Sequence, residues 1–333
     1  MPEGFSLTLI AVLALAVIFD YINGFHDTAN AIATSVSTRA LKPQHAILMS
    51  AVANFTGALI GTEVAKTVGS GLIQTQFESQ AVVAAALIGA IAWNLLTWRL
   101  GIPSSSSHAL IGGLLGAVAI AAGFGAWKMD GVIGKVLVPL VGSPILGFLI
   151  GFGLMVLLLN VFRRANPRLM NDRFRRLQVI SAAYMAFSHG SNDAQKTMGI
   201  MTLALVTAGI QTTFDPPIWV ILLAASAISL GTAAGGWRII RTMGTKVVKL
   251  DPVHGFAAET TAASIIFGAS HLGMPVSTTH VISSAIMGVG STGRLSAVRW
   301  GVARSIVIAW VLTIPAAGLT AAVAYLLLRP ILV

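Results

Sequence analysis

Long apolar stretches alternate with short polar ones along the whole chain. A helix needs about 20 residues to cross the hydrocarbon core of a bilayer. Runs of about that length or longer cover 5–23, 45–65, 81–100, 132–162, 217–237 and 300–328. Shorter apolar stretches cover 26–38, 103–124, 177–190, 192–208, 256–271 and 275–291. Several of these are too short to span a membrane, so the pattern predicts spanning helices together with broken or re-entrant helices.

Two polar motifs interrupt the apolar pattern, and each occurs twice in the same order. Residues 24–30 read GFHDTAN, and residues 190–196 read GSNDAQK. Each is followed, at nearly the same separation, by a hydroxyl-rich motif, PSSSSH at 103–108 and PVSTTH at 275–280. This order indicates an internal duplication, and matched interruptions in two halves are typical of a transport site between repeats.

The boundary between the halves is a basic segment, so we predict a first membrane repeat at 1–162, a linker at 163–176 and a second repeat at 177–333. The linker carries a cluster of arginines: Arg163, Arg164, Arg168, Arg173, Arg175 and Arg176. Basic loops stay in the cytoplasm, whereas residues 1–6 carry no Lys or Arg, which favours an outside N-terminus. The expected fold is therefore an all-α polytopic membrane protein with two inverted-topology repeats and broken or re-entrant helices at the midplane.

Composition excludes an ordinary soluble protein. Only 10% of the 333 residues are charged and 56% are hydrophobic, whereas soluble domains average about 25% charged residues. The net charge of +10 comes mostly from basic residues at the ends of apolar runs, so it indicates topology and not nucleic-acid binding. The absence of cysteine excludes disulfides and thiolate metal sites. We expect no cofactor, a lipid bilayer as surroundings, and leave a homodimer open.

The first motif pair places one carboxylate per half, Asp27 and Asp193, in apolar surroundings. An unpaired carboxylate in a membrane costs at least a few kcal/mol, so cation binding is the favoured interpretation and helix capping is the alternative. Hard cations such as sodium prefer oxygen ligands. The candidate sodium ligands, helped by carbonyls of an unwound backbone, are Asp27, Asn30, Asn192, Asp193 and Gln195.

The second motif pair predicts an anion site. Hydroxyls at a helix N-terminus lie beside unpaired N–H groups and a partial positive charge, although capping and packing would also explain them. Lys196 could either neutralise Asp193 or contact the anion. The candidate anion ligands are Ser104, Ser105, Ser106, Ser107, Ser277, Thr278, Thr279, Asn30 and Lys196. The candidate gate or coupling residues are Glu63, Glu259 and His26. Asp20 is expected to be interfacial or paired.

With these motifs the chain resembles the inorganic phosphate transporter (PiT) family, over nearly its whole length. The family motif is Gly-x-Asn-Asp-x-x-Asn, once per repeat, and the segments 275–280 and 255–259 also look like the family. His26 and Lys196 depart from the motif, since the family usually has Asn at both positions. The resemblance implies symport of inorganic phosphate, driven by sodium in some members and by protons in others, and it implies that the chain is not an enzyme. We expect import across the cytoplasmic (inner) membrane with sodium, because the motifs supply many neutral oxygen donors. Proton-coupled or metal-phosphate symport and sulfate permeation are the alternatives.

Overall fold

The computed structural model describes residues 6–332, and these residues are almost entirely helical. The first half contains α1 Leu7–Ser37, α2 Pro43–Ala58, α3 Glu63–Ser70, α4 Gln80–Leu100, α5 Ser106–Ala122 and α6 Met129–Val161. The second half contains α7 Pro167–Thr207, α8 Ile218–Ala234, α9 Trp237–Lys246, α10 Pro252–His271, α11 Thr278–Gly290 and α12 Trp300–Leu332. Within 6–332 the only β-type pairing is an isolated bridge between Ile73 and Trp127.

The helices repeat in the same order in the two halves. Each half begins with a long helix that carries the Asp motif (α1, α7) and continues with a bent pair, α2–α3 at 72° and α8–α9 at 61°. A further helix (α4, α10), a helix that begins at the hydroxyl motif (α5, α11) and a long final helix (α6, α12) follow. The halves interlock reciprocally, because α1 packs on α8 while α7 packs on α2, and α5 packs on α12 while α11 packs on α6.

Four helices, α1, α4, α6 and α12, are long and apolar enough to cross a membrane, and the two bent pairs raise the number to as many as six. Large apolar side chains on the outer helices are exposed, including Ile145 and Leu149 on α6 and Leu319 and Leu327 on α12. Apolar side chains in such positions suit lipid. The predicted all-α polytopic membrane fold is confirmed.

Two apolar cores lie on either side of a buried polar layer. The first core contains α1 residues between Leu9 and Phe19 and α7 residues between Met198 and Leu205. The second contains Ala29 and residues 31–33 of α1, together with residues 185 and 186 of α7. Helix α1 therefore passes the first core and then the second, whereas α7 passes them in the opposite order.

The predicted helix breaks at the Asp motifs are wrong. Helix α1 runs without interruption through Asp27, and α7 through Asp193, so neither residue is an N-cap and no unwound backbone lies beside it. The polar residues are tolerated because they face protein and not lipid. Gly24 is needed for a different reason: its lack of a side chain lets α1 lie directly on α8. A Cβ atom at Gly24 would come 2.3 Å from the carbonyl oxygen of Ile228. Breaks occur instead between α2 and α3 and between α8 and α9.

The basic segment 163–176 forms a turn at 163–166 and the exposed first residues of α7. The arginines thus lie in the turn before α7 and at the N-terminal end of this helix. The prediction of an outside N-terminus is based on residues 1–6, and residues 1–5 lie outside the described residues.

Candidate functional site

Polar residues line one face of α1. Asp20, Asn23, Asp27, Asn30 and Thr34 are spaced alternately by three and four residues, which places them on the same side of an α-helix. We call these five residues the α1 stripe. All five are at most 2% exposed. At 1.5 Å per residue the stripe is about 21 Å long, so a continuous buried polar line runs through the protein where apolar packing would be expected.

The carboxylates of the two halves meet halfway along this stripe. One ligand atom each of Asp27, Asp193 and His189 lie within 4.8 Å of one another, and all three residues are buried. Two buried carboxylates this close repel each other unless positive charge lies between or beside them. This group is therefore a candidate cation site, built from α1 of one half and α7 of the other.

Lys196 supplies one positive charge to this group. Its Nζ lies 2.5 Å from Asp193 Oδ1, 2.5 Å from Ser107 Oγ and 2.9 Å from the carbonyl oxygen of Val276. These three contacts use all three hydrogens of the ammonium group. Lys196 thus pairs with Asp193, as one of the two predicted roles requires, and it also contacts the hydroxyl motif. The other role, contact with the anion, stays a prediction.

Each of the two carboxylates has a histidine beside it. His26 Nδ1 lies 2.6 Å from Asp27 Oδ1, and its Nε2 lies 3.1 Å from Thr97 Oγ1. The structure thus places His26 as a partner of its neighbour. His189 Nδ1 lies 2.9 Å from Asn54 Oδ1, and its Nε2 is 3.2 Å from Asp193 Oδ2, without hydrogen-bond geometry.

The tautomer of His189 follows from its partner. Asn54 donates through its amide nitrogen to Thr232, so its oxygen accepts and His189 Nδ1 carries the proton. In the neutral ring, Nε2 then presents a lone pair to the carboxylate group. A cation or a proton between them would satisfy both acceptors.

The hydroxyl motifs lie at helix N-termini, as predicted. Ser105 and Ser277 are the N-caps of α5 and α11, and each Oγ accepts a bond of 3.2 Å from the backbone N–H three residues on. The capping interpretation therefore holds for these two hydroxyls. The two helix starts lie close to each other, since the rings of His108 and His280 are 4.8 Å apart, and each helix N-terminus carries a partial positive charge.

Other hydroxyls of these motifs contact the Asp motifs. Thr278 Oγ1 donates to Asp193 Oδ2 at 3.3 Å, and Thr279 Oγ1 lies 3.5 Å from Asp27 Oδ1. Asn30 donates its amide hydrogens to both threonines, at 3.3 and 2.9 Å. The structure thus joins Asp27, Asp193 and Asn30 of the Asp motifs to two predicted anion ligands, Thr278 and Thr279, in one buried cluster.

Ser104 and Ser106 complete the hydroxyls of α5. Ser104 donates to Thr97 Oγ1 at 2.8 Å and lies 3.4 Å from His26 Nε2. Ser106 Oγ is buried without a hydrogen-bond partner.

Three predicted residues lie outside this cluster. Gln195 bonds to backbone groups, accepting from Val64 N at 2.9 Å and donating to the oxygens of Ser191 and Ile60, so all its polar atoms are used elsewhere. Glu63 accepts from the backbone N–H of its neighbour 62 at the bend between α2 and α3. Glu259 is described next.

Glu259 ties three helices together at the end of the α1 stripe. It is fully buried on α10 and accepts hydrogen bonds from Thr34 of α1 and from Gln178 and Ser181 of α7, the last two at 3.1 and 2.5 Å. Such a contact can hold α1, α7 and α10 in one arrangement, which suits the gate or coupling role predicted from the sequence.

The prediction that Asp20 is interfacial is wrong, because Asp20 is fully buried. It lies beside the polar side chains of Asn23 and Thr197, which agrees with the predicted alternative of a paired residue. Its spacing of seven residues from Asp27 was the available signal, but the predicted helix break between them concealed it.

A buried polar cluster between two interlocked helical halves, with carboxylates and two helix starts converging on it, defines a membrane transporter for small ions. The chain belongs to the phosphate transporter family, whose model matches residues 23–172 and 161–321. It is therefore a transporter and not an enzyme, which confirms the resemblance seen in the motifs.

Similar proteins agree with this assignment. A probable low-affinity inorganic phosphate transporter of Bacillus subtilis is 51% identical over 97% of both chains. One of the same description from Rhizobium meliloti is 49% identical over 95% of both. A solved structure, described as the sodium-dependent phosphate transporter, superimposes with a TM-score of 0.90 at 28% identity, over 98% of this chain and all of that one.

Proposed function

We propose that this protein imports inorganic phosphate with low affinity across the cytoplasmic membrane by symport with sodium ions. The observation that carries the proposal is the meeting of Asp27 and Asp193, one from each half, beside two helix N-termini that lie close together. The carboxylates would bind sodium, and the helix starts with their hydroxyls would bind phosphate.

The charges explain why the two ligands would move together. Two carboxylates and the Lys196 ammonium leave one negative charge in the buried cluster, and phosphate would add at least one more. Uncompensated charge in a medium that excludes water is strongly unfavourable. Bound cations would remove this penalty, and by reciprocity bound phosphate would strengthen cation binding.

Oxygen atoms without partners support sodium as the cation. The amide oxygens of Asn30 and Asn192 are buried and accept no hydrogen bond, and both residues belong to the Asp motifs. Hard cations prefer such oxygens. The structural neighbour described as sodium-dependent supports the same choice. Gln195 would not be a sodium ligand, because its side-chain oxygen accepts a hydrogen bond from the backbone N–H of Val64 in α3.

The phosphate ligands would come from both hydroxyl motifs. Ser104, Ser106 and Ser107 of one half and Thr278 and Thr279 of the other line the cluster. Ser105 and Ser277 act through the helix ends that they cap. Asn30 and Lys196 already donate to hydroxyls of these motifs and would redirect those hydrogens to phosphate.

The order of the cores supports an inverted repeat, with repeats at 1–162 and 177–333. Because α1 and α7 pass the two cores in opposite order, equivalent helices run antiparallel. Two such halves can exchange conformations and open the site alternately to either side. The basic residues at 163–176 would lie in the cytoplasm, and the N-terminus outside.

A second candidate, metal-phosphate symport, is favoured by one observation. His189 presents a ring nitrogen to the two carboxylates, and imidazole with carboxylates suits divalent transition metals better than sodium. Proton coupling would instead place a proton in this group.

The test is uptake of labelled phosphate into proteoliposomes under an inward sodium gradient, a proton gradient, or neither. Sulfate as competitor and added divalent metal form separate arms. We expect sodium alone to drive accumulation, and we expect Asp27→Asn and Asp193→Asn each to abolish it. The matched control is Asp172→Asn, because Asp172 is an exposed residue of α7. Sodium-driven uptake that survives both site substitutions would refute the mechanism, while proton-driven or metal-dependent uptake would replace sodium as the coupled ion.

A further inference from the structure

We propose that a groove on the outer surface between α6 and α12 binds a phospholipid with an anionic headgroup, and that the bound lipid acts on the second hydroxyl motif through α11. The groove is about 660 Å³ in volume, which lies within the range of about 300–1,000 Å³ that is typical of small-molecule sites. It is separate from the buried cluster and takes no part in the proposed symport.

The walls of the groove are apolar. Side chains of α6 and α12 form its two sides, and α11 forms its floor. The apolar side chains that line it include Ile145, Phe148, Leu149, Val307, Ile308 and, from α11, Met287. Most of those from α6 and α12 are exposed, which is unfavourable in water and suits the acyl chains of a bilayer. The shape and chemistry of the groove therefore fit an acyl chain.

One cation lies in this apolar surface. Arg304 is exposed on α12, about one helical turn after the helix begins, and it is the one charged residue of the described chain that lines the groove. Within residues 6–332 its guanidinium group makes no ion pair or hydrogen bond. An unpaired charge beside lipid is unfavourable, and a lipid phosphate would supply the missing anion, because guanidinium binds phosphate well.

The groove lies on the same side of the protein as the basic segment 163–176. Val298, just before α12, belongs to the second apolar core, and so does Met155, which lies close to the end of α6 that leads into this segment. Trp300 is exposed at the start of α12, and tryptophan favours the boundary between membrane and water. Arg304 would thus lie near the headgroups of the predicted cytoplasmic leaflet, where basic pockets between helices bind anionic lipids.

A second apolar groove provides a comparison without the charge. It lies between α5 and the middle of α12, is about 300 Å³ in volume, and has no charged lining residue in the described part of the chain. Acyl chains fit either groove by chemistry. Of the two, the groove beside Arg304 alone offers a partner for an anionic headgroup.

The groove also reaches the helix that carries the second hydroxyl motif. Trp310 lines the groove, and its ring stacks on that of His280 with 4.1 Å between the centroids. His280 directly follows Thr279, whose hydroxyl accepts a hydrogen bond from Asn30 in the buried cluster. A lipid in the groove would contact Trp310 and Met287 and would therefore favour one position of α11.

The first experiment is native mass spectrometry of the purified full-length protein in detergent, titrated with phosphatidylglycerol or with phosphatidylcholine. We expect the wild type to bind the anionic lipid about fivefold more tightly, and Arg304→Gln to lose this preference. Val307→Trp, which fills the groove from α12, should weaken the binding of both lipids. The matched controls are Arg329→Gln and Val323→Trp, at exposed positions farther along α12 that line neither groove, and both should bind as the wild type does.

The second experiment measures uptake of labelled phosphate into proteoliposomes of phosphatidylcholine, with and without phosphatidylglycerol. We expect the anionic lipid to speed uptake by the wild type and by both control variants. Arg304→Gln and Val307→Trp should lose this stimulation, because the lipid no longer occupies the groove beside Trp310.

Three results would contradict the proposal. Equal affinity of the wild type for both lipids, or wild-type binding by both groove variants, would refute the lipid site. A dimer mass for the wild type and a monomer mass for Val307→Trp would assign the groove to a second copy of this chain instead. A lipid preference that leaves uptake unchanged would refute the action through α11.

Discussion

The pair formed by Lys196 and Asp193 allows a quantitative test of the site. Both residues are at most 2% exposed, and their charged atoms are 2.5 Å apart. Removing one partner of a buried pair leaves an uncompensated charge and typically costs 3–5 kcal/mol, whereas replacing both partners is often nearly neutral. Lys196→Met and Asp193→Asn should therefore each lower the free energy of unfolding by about 3–5 kcal/mol, and the double variant should recover most of that loss.

The assay is denaturant unfolding in mild detergent, with choline replacing sodium and with no phosphate present. The three variants and the wild type form a double-mutant cycle, which isolates the pairwise interaction. Lys135→Met is the control, because Lys135 is only partly buried and donates only to a backbone carbonyl at 3.3 Å. Surface changes of this kind stay within about 0.5 kcal/mol. Additive losses in the double variant would refute the pairing.

Sodium adds a second readout to the same cycle. In Lys196→Met a sodium ion can take the place of the ammonium group beside Asp193, so added sodium should stabilise this variant more than the wild type. An identical response to sodium in both proteins would contradict a cation site at Asp193.

Three further results are expected. Gly24→Ala should abolish folding or uptake, since its Cβ would lie 2.3 Å from the Ile228 oxygen, whereas Gly153→Ala, which meets nothing within 4 Å, should be neutral in expression and phosphate uptake. Glu259→Gln loses an acceptor shared by three donors and should lower stability by about 1–3 kcal/mol as well as slow uptake; wild-type rates would exclude its gating role. Asp251→Ala removes the N-cap of α10 and should lower the melting midpoint by the equivalent of about 1 kcal/mol; an unchanged midpoint would show that the cap is dispensable.

The repeated motifs made the central residues of the site predictable. Asp27 and Asp193 stand out because carboxylates are rare in apolar sequence, and a proline followed by hydroxyl residues is a helix-start signal. That signal placed Ser105 and Ser277 correctly at the starts of α5 and α11. The same local reasoning predicted an all-helical membrane fold.

Contacts between the halves could not be predicted from spacing. Lys196 meets Ser107 across 89 residues, and Asp27 lies near Thr279 across 252, and no local pattern carries such information. Polarity around Asp27 suggested a helix break, because the sequence does not show that these side chains face protein. That error separated Asp20 from Asp27 and hid their common helix face.

The reciprocal packing of α1 on α8 and of α7 on α2 bears on how the chain is made. During synthesis the first half enters the bilayer before its partners exist, and α1 then carries Asp20 and Asp27 without α7 or α8 beside them. Carboxylates in that position are unstable in lipid, so the early half must stay neutralised, solvated or shielded by the insertion machinery. Productive assembly becomes an all-or-none event that waits for α8, and fragments truncated before that helix should be degraded instead of accumulating.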